Sequence, residues 1–375
     1  MERKNILFIS TWFPNKIDPT AGNFVQRHAE AVSTSNNVEI LHAIGNEKQK
    51  EKFVFEENVI HDVRTLIVYY KNSEKRSVNF SRRMKAYKMG FSRMKKPDLV
   101  HANVMHNSML FAVWLKKIHK IPFVVTEHWT ALQKDNLHKT PKFLLKIAKF
   151  IGDQAEYILP VSNNLLESLQ LIGIKTQQKV ISNVVNTEIF NMNFIKNSVP
   201  KFLHISNLIP RKKADRIIAV AKKLHDDGFE FNLEIGGDGD HEGIQKQIKK
   251  LKAENYISTF GAISYQEVAE KMKNSTCFVL FSENETQGCV ILESFACGVP
   301  VISTAVGGVP EFVQDNFGIL IEKNNEVELY EAMKNIIENN INFDQPEILR
   351  KYVLDNFSRE SIAKQFDEIY SKVLQ

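Results

Sequence analysis

CFVLFSENETQGCVILESFACGVPVISTAVGGVPE, residues 277–311, carries the reading on which the fold turns. CFVLFS is a short apolar run of strand length that stops at polar residues. A polar loop follows, and Cys289–Ala296 then reads as a helix. A glycine turn at Gly298 leads into VPVIST, a second short apolar run. Strand, helix and strand in so short a span make a βαβ unit, whose two strands lie parallel in one sheet.

The same grammar extends in both directions. Toward the N-terminus come FLHISNL, a helix over Ala214–Asp227, FNLEIGG, a helix over Gly243–Ala253, YISTFGA and a helix over Tyr265–Lys273. Beyond the decisive stretch lie GILI and a last amphipathic helix, Ser358–Leu374, with Ile362, Phe366, Ile369 and Val373 at helical spacing. The first half repeats the pattern with NILFIS, VEILHAI, LIVYY, DLVHA, FVVTEH and YILPVS. Helical stretches at Phe24–Ser33, Ser108–His119 and Pro141–Gly152 lie between them. Between the halves, VISNVVNTEIFNMNFIKNSVPK (180–201) is rich in Asn and has no helical period, which suits a linker. The expected organisation is an α/β domain over 1–190, a second over 191–357 and a C-terminal helix over 358–375.

The 375 residues suffice for two cores, and 43% apolar with 25% charged residues is a globular composition. No run of apolar residues is long enough to span a bilayer. MERKNILFIS reads as a first strand rather than a secretory signal, so a cytoplasmic protein is expected. Cys277, Cys289 and Cys297 have no metal-binding spacing and are expected as reduced thiols. The net charge of +5 hides an asymmetry. Residues 1–195 hold 28 Lys and Arg against 17 Asp and Glu, and the remainder 21 against 27. An anionic partner on the first half is implied.

Glu285 and Glu293, with seven residues between them, fall in the loop after CFVLFS and within the following helix. Gly288 stands near that helix start, where free N–H groups and the positive helix end meet an anion. A carboxylate one or two turns further in can accept hydrogen bonds from vicinal hydroxyls such as those of a ribose. HISNLIPRKKADRII (204–218) places Arg211 and Lys212 where cations can neutralise a leaving phosphate, or form a solvated charge run. GGDGD (236–240) is a tight turn or a ligand contact and does not match a dinucleotide fingerprint. In the first half, the loop TWFPNKIDPTAG feeds a helix, and Gly22 either turns that loop or faces phosphate. His128 and His101 close strands, where a doubly wound sheet puts its ligands; His101 is the more structural of the two.

Glu285-x7-Glu293, Ala296-Cys297-Gly298-Val299-Pro300-Val301 and Gly307-Gly308-Val309-Pro310-Glu311 together resemble the retaining glycosyltransferases of family four. The resemblance is dense from 200 to 311 and looser before it. It implies the GT-B architecture: two Rossmann-like doubly wound domains facing across a cleft, with the C-terminal helix packing back on the N-terminal domain. It also implies roles. Glu293 would hold the nucleotide ribose and Glu285 the donor sugar, with Thr286, Gln287, Gly288, Cys289 and Val290 near sugar and diphosphate. Ser206, Arg211, Lys212 and Gly237 would lie at the phosphates, Gly261 at the base, Gly22 at the phosphates from the first half, and His128 near the sugar. Catalysis would fall to His128, Lys212 and Glu285. The family's Gly-Arg is replaced here by Ser206-Asn207, which shifts the phosphate-binding role toward Lys212.

The implied reaction is retaining transfer of a hexose-type sugar from a UDP or GDP sugar to a hydroxyl of a glycan or lipid-linked acceptor, in surface polysaccharide synthesis. The chain is read as having no Asp-x-Asp motif to hold a divalent metal between phosphates, so metal-independent catalysis with no cofactor is expected. A nucleotide-sugar epimerase, a phosphorylase, a nicotinamide oxidoreductase and a catalytically silent nucleotide-sugar-binding subunit are the rival readings. Nucleic acid is not an expected partner, since no aromatic-interleaved basic module is present. Residues 71–96 contain ten Lys and Arg and one acid, with Phe80, Met84, Tyr87, Phe91 and Met94 on one helical stripe. That stripe faces either the core or an anionic membrane, at the inner face in the second case; PKFLLKIAKF (141–150) repeats the mixture.

Overall fold

The computed structural model describes residues 3–192 and 198–375. The chain forms two compact units, one of residues 1–184 with 359–375 and one of residues 185–358. Unit 1 runs β1 (Asn5–Ser10), α1 (Asn23–Val32), β2 (Asn37–Asn46), β3 (Phe53–Ile60), β4 (Val63–Lys71), α2 (Arg76–Phe91), β5 (Leu99–Asn103), α3 (Leu110–His119), β6 (Phe123–Glu127), α4 (Lys142–Gly152), β7 (Tyr157–Pro160) and α5 (Asn163–Leu171). Unit 2 contributes β8 (Lys201–Ile205), α6 (Ala214–Asp226), β9 (Asn232–Gly236), α7 (His241–Lys250), β10 (Ile257–Phe260), α8 (Tyr265–Lys273), β11 (Cys277–Leu280), α9 (Cys289–Ala296), β12 (Val301–Thr304), β13 (Gly318–Ile321), α10 (Glu326–Ile337) and α11 (Pro346–Phe357). Helix α12 (Arg359–Leu374) returns to unit 1.

The unit 1 sheet has the order β3-β4-β2-β1-β5-β6-β7, parallel except for β3. Its strands are apolar on both faces because helices cover both, as the continuous runs NILFIS and FVVTEH require. One apolar layer lies under α2, α3 and α4, with Tyr87, Phe111 and Ile151 fully buried. The other lies under α1 and α12, where Phe366 and Tyr370 are buried with Phe8 and Val25. Four of the five residues of the stripe read over 71–96 turn to the core: Tyr87 is buried, and Met84, Phe91 and Met94 pack against the same cluster, while Phe80 is half-buried outside it. The lysines and arginines of α2 line the outside.

Unit 2 is a second doubly wound sheet, all parallel, of order β10-β9-β8-β11-β12-β13. Local sequence sets its helix starts. Ser264 and Glu267 form a reciprocal capping box at α8, which fixes the first turn at Tyr265. The helix expected over Gly243–Ala253 starts two residues earlier, because Asp240 accepts the Gly243 amide at 2.9 Å. The helix expected from Ser108 opens instead with a 3-10 turn over Asn107–Met109.

The chain leaves unit 1 after Val184, where the linker reading had set 190. Residues 181–190 of this stretch are packed. Ile181 and Val184 are buried in the core of unit 1, Val185 and Phe190 in that of unit 2. The Val185 amide donates to the Phe357 carbonyl at 2.9 Å, so the chain enters and leaves unit 2 at one place. Residues 193–197 of the expected linker lie outside the described residues.

Candidate active site

In unit 2 the strand order reverses between β8 and β11, the switch point at which open α/β sheets take ligands at their carboxyl ends. Two loops meet there. The loop after β8 brings Arg211, Lys212 and Lys213; the loop after β11 brings Glu283 and Glu285. Lys212 Nζ pairs with Glu285 Oε1, both side chains only 12% exposed. Lys213 pairs with Glu283 at 2.9 Å, and the Glu283 amide donates to the Arg211 carbonyl at 2.8 Å. Charges of both signs are thus fixed at one spot, where low solvent access strengthens their field. Arg211 has a buried Nε without a hydrogen-bond partner among the described residues.

A buried histidine supports the first loop. His204 Nδ1 donates to the Val279 carbonyl at 2.8 Å, so its Nε2 accepts from Ser206 Oγ at 2.9 Å. Ser206 Oγ accepts in turn from the Leu208 amide at 3.1 Å, where the backbone takes a φ of 45°. Burial pushes His204 down to about 4, which keeps the ring neutral and this assignment of donors in place.

The glycines divide by cause. Gly237 has a φ of 130°, and a Cβ there would lie 1.8 Å from the Ser206 carbonyl oxygen. Close approach of the β8 and β9 loops therefore accounts for it. Gly261, after β10, faces open space. Gly288 caps α9 in the left-handed region, at a φ of 78°, and as a glycine brings no side-chain cap of its own. Thr286, Cys289 and Val290 are half-buried there, while Gln287 and Glu293 are buried. The Gly308 amide donates to the Glu285 carbonyl at 3.3 Å, which draws the Gly-Gly turn to the same loop. Asp238-Gly239-Asp240 does have Asp-x-Asp spacing, contrary to the sequence reading; Asp240 is engaged in capping α7.

In unit 1 the switch point lies between β1 and β5. After β1, Asn15 is buried and its Oδ1 accepts the amides of Ile17 and Asp18 at 2.9 and 3.2 Å, folding the loop on itself. Gly22 ends this loop at a φ of 65°, with a Cβ excluded by the Trp12 carbonyl oxygen at 2.3 Å. His128, at the end of β6, is buried, stacks on Phe24 at 4.1 Å, and has no hydrogen-bond partner for either ring nitrogen among the described residues. Burial holds it well below its usual value, so the ring is neutral. His101 is fully engaged, with Tyr370 Oη and Thr126 Oγ1 each at 2.6 Å, and is structural.

The sequence reading missed Glu127. Its carboxylate is completely buried and accepts the amides of Met105, His128 and Trp129 at 2.7, 2.8 and 2.7 Å. Burial raises it to about 7 against the lowering effect of those three donors. It clamps the backbone that carries His128. No spacing signal announces it, because Met105 is 22 residues away.

Two family models match the chain: Glycosyltransferase Family 4 over residues 22–189 and Glycosyl transferases group 1 over residues 185–355. A glycosyltransferase of Methanocaldococcus jannaschii, itself uncharacterised, is 29% identical over 84% of this chain and 83% of its own. The N-acetyl-alpha-D-glucosaminyl L-malate synthase of Bacillus anthracis is 27% identical over 74% of this chain and 75% of its own. The Anabaena protein HepE, solved with UDP and glucose, superposes with a TM-score of 0.77 at 16% identity, covering 99% of this chain and all of its own. Two parallel Rossmann-like sheets, the paired loops at their switch points and these likenesses agree: the chain belongs to the group 1 glycosyltransferases of family four and has the GT-B fold.

Proposed function

We propose that this glycosyltransferase moves a hexose-type sugar from a UDP sugar to a hydroxyl of a glycan or lipid-linked acceptor, with retention and without a metal. The Lys212–Glu285 pair at the unit 2 switch point carries the reading. A nucleoside diphosphate leaving group gains charge as its bond to the sugar C1 breaks, and Lys212, with Arg211 beside it, neutralises that charge. Glu285 then accepts hydrogen bonds from the sugar and Glu293 from the ribose. The acceptor oxygen attacks C1 from the face the diphosphate leaves, and its proton passes to a departing phosphate oxygen. On unit 1, the unpartnered ring nitrogens of His128 suit a substrate hydroxyl. The solved complex of HepE with UDP and glucose supports a uridine nucleotide over GDP.

A thermal-shift screen of UDP, GDP, ADP and CMP sugars in EDTA tests this. Saturation a hundredfold above Kd stabilises a fold by about 2.7 kcal/mol. The expected result is a rise in Tm with UDP sugars, abolished in Glu293→Ala. No shift with any nucleotide sugar, or a shift that requires a divalent ion, would overturn it.

A further inference from the structure

We propose that the outer faces of α3 and α4 form a surface that docks on an anionic lipid bilayer. This deepens the reading of a lipid-linked acceptor, and of the two basic and apolar stretches in the sequence it centres the contact on the second, 141–150, rather than on 71–96. Helix α2 presents no large, exposed apolar side chain among the described residues: Met84 and Phe91 pack against the core of unit 1, and Val78, Phe80 and Met89 are half-buried. Helix α4 does. Its inner side is used by the core, with Ala148 and Ile151 buried and Leu145 and Ile147 packed against the same cluster. Its outer side carries Phe143 and Phe150, 59% and 44% exposed, with Lys146 between them at spacings of three and four. Those positions form one stripe on a helix. At the end of α3, Ile118 is 62% exposed, and its neighbour Lys117 lies 5.5 Å from the Phe150 ring, which ties the two helix ends together.

The cations around this stripe are unspent. Lys117, Lys142 and Lys146 are exposed and make no ion pair among the described residues, whereas Lys149 is held by Asp153 and the Gly173 carbonyl. Lys88 of α2 lies over Trp114 of α3, so the basic outside of α2 continues the surface. Residues 71–150 hold eighteen Lys and Arg against four Asp and Glu. Separate large apolar side chains standing among lysines on a convex helix suit headgroups and the acyl boundary, where rings insert and ammonium groups stay at the phosphates. A nucleic acid would be drawn by the same charge but would not depend on Phe143 and Phe150 in this way.

The test is co-sedimentation of the full chain with vesicles of phosphatidylcholine alone and of phosphatidylcholine mixed with phosphatidylglycerol. Binding is expected only to the mixed vesicles, weakened by salt. The double variant Phe143→Ser/Phe150→Ser is expected to lower vesicle affinity about tenfold or more, and Lys142→Glu/Lys146→Glu to lower it likewise. Val59→Ser, which removes a side chain 71% exposed on β3, at the far edge of the sheet from β7, is expected to change nothing. Circular dichroism and Tm establish that each variant is folded. No binding to the mixed vesicles, or binding undiminished in the folded Phe double variant, overturns the proposal. So does a polyanion such as single-stranded RNA competing the protein off vesicles while binding with an equal dependence on Phe143 and Phe150. The readout needs no turnover. A protein that sediments but transfers nothing keeps this surface and loses the acceptor reading; one that glycosylates a soluble acceptor but does not sediment does the reverse.

Discussion

His204 and Ser206 act as one latch on the loop after β8: the ring accepts the hydroxyl proton at 2.9 Å, and the hydroxyl oxygen accepts the Leu208 amide. His204→Phe and Ser206→Ala each break this chain and leave Leu208 unsupported at its positive φ. Each is expected to lower kcat/KM by about tenfold, the loss of roughly one buried hydrogen bond. Because both act on one latch, the double variant should lose little more than either single one. Steady-state kinetics decides it; losses that simply add would show two independent roles.

Lys212 is expected to matter through charge. Lys212→Met removes the ammonium and leaves Glu285 poorly solvated beside the diphosphate. A drop in kcat/KM of about 10² to 10³ is expected, the size seen when one group stabilising developing charge is lost. Lys212→Arg should recover part of it. Equal activity in the Met and wild-type proteins would remove Lys212 from the mechanism.

Gly237 and Gly261 should separate folding from binding. At Gly237 an added Cβ meets the Ser206 carbonyl, and at Gly261 it meets nothing. Gly237→Ala is expected to cost roughly 2 kcal/mol or more of stability, seen as a fall in Tm without ligand. Gly261→Ala should leave Tm unchanged and weaken only nucleotide affinity. A Gly261→Ala protein with normal affinity would show that the end of β10 does not touch the base.

Stability should fall in acid, with a defined window. Burial pushes His28, His42 and His204 from 6.5 down to about 4. Between those values the unfolded chain binds protons that the fold does not, so stability is intact above pH 6.5 and lost as pH falls toward 4. Each ring contributes on the order of 3 kcal/mol to that loss. Glu127 has the opposite sign. Raised to about 7 from 4.5, it keeps a proton in the fold across that interval, and acidification relieves its burial. Tm should therefore drop between pH 6.5 and 4, less steeply in His42→Asn and more steeply in Glu127→Gln. A Tm unchanged across this range would contradict the burial of these groups as neutral rings.

Much of this architecture is legible in the chain because its strands are unbroken apolar runs and several helices start at capping side chains, Ser162, Asp240, Ser264 and Asn325. The unit 277–304 is read correctly from its two apolar runs and the glycines at either end of its helix. Strand β3 escapes notice: FVFEENVI mixes Glu into both faces, and its turn uses His61 and Asp62 at φ of 45° and 64° in place of an Asn-Gly signal. Glu285 and Lys212 are found by motif, and their pairing is not, since 73 residues separate them. Glu127 and His204 escape entirely. A lone Glu or His at the end of an apolar strand has meaning only through the backbone amides and carbonyls that folding brings to it, from Met105 in one case and Val279 in the other.

The return of α12 to unit 1 sets an order of assembly. Tyr370 reaches His101 across 269 residues of chain, and Phe366 packs against the same ring at 5.1 Å. During synthesis the seven-stranded sheet waits, with Phe8 and His101 uncovered on one face, while all of unit 2 is made. Unit 2 is contiguous and can close by itself. The unit begun first is finished last, and a ribosome stalled after residue 358 would hold a completed second unit joined to a first that still exposes its core to chaperones.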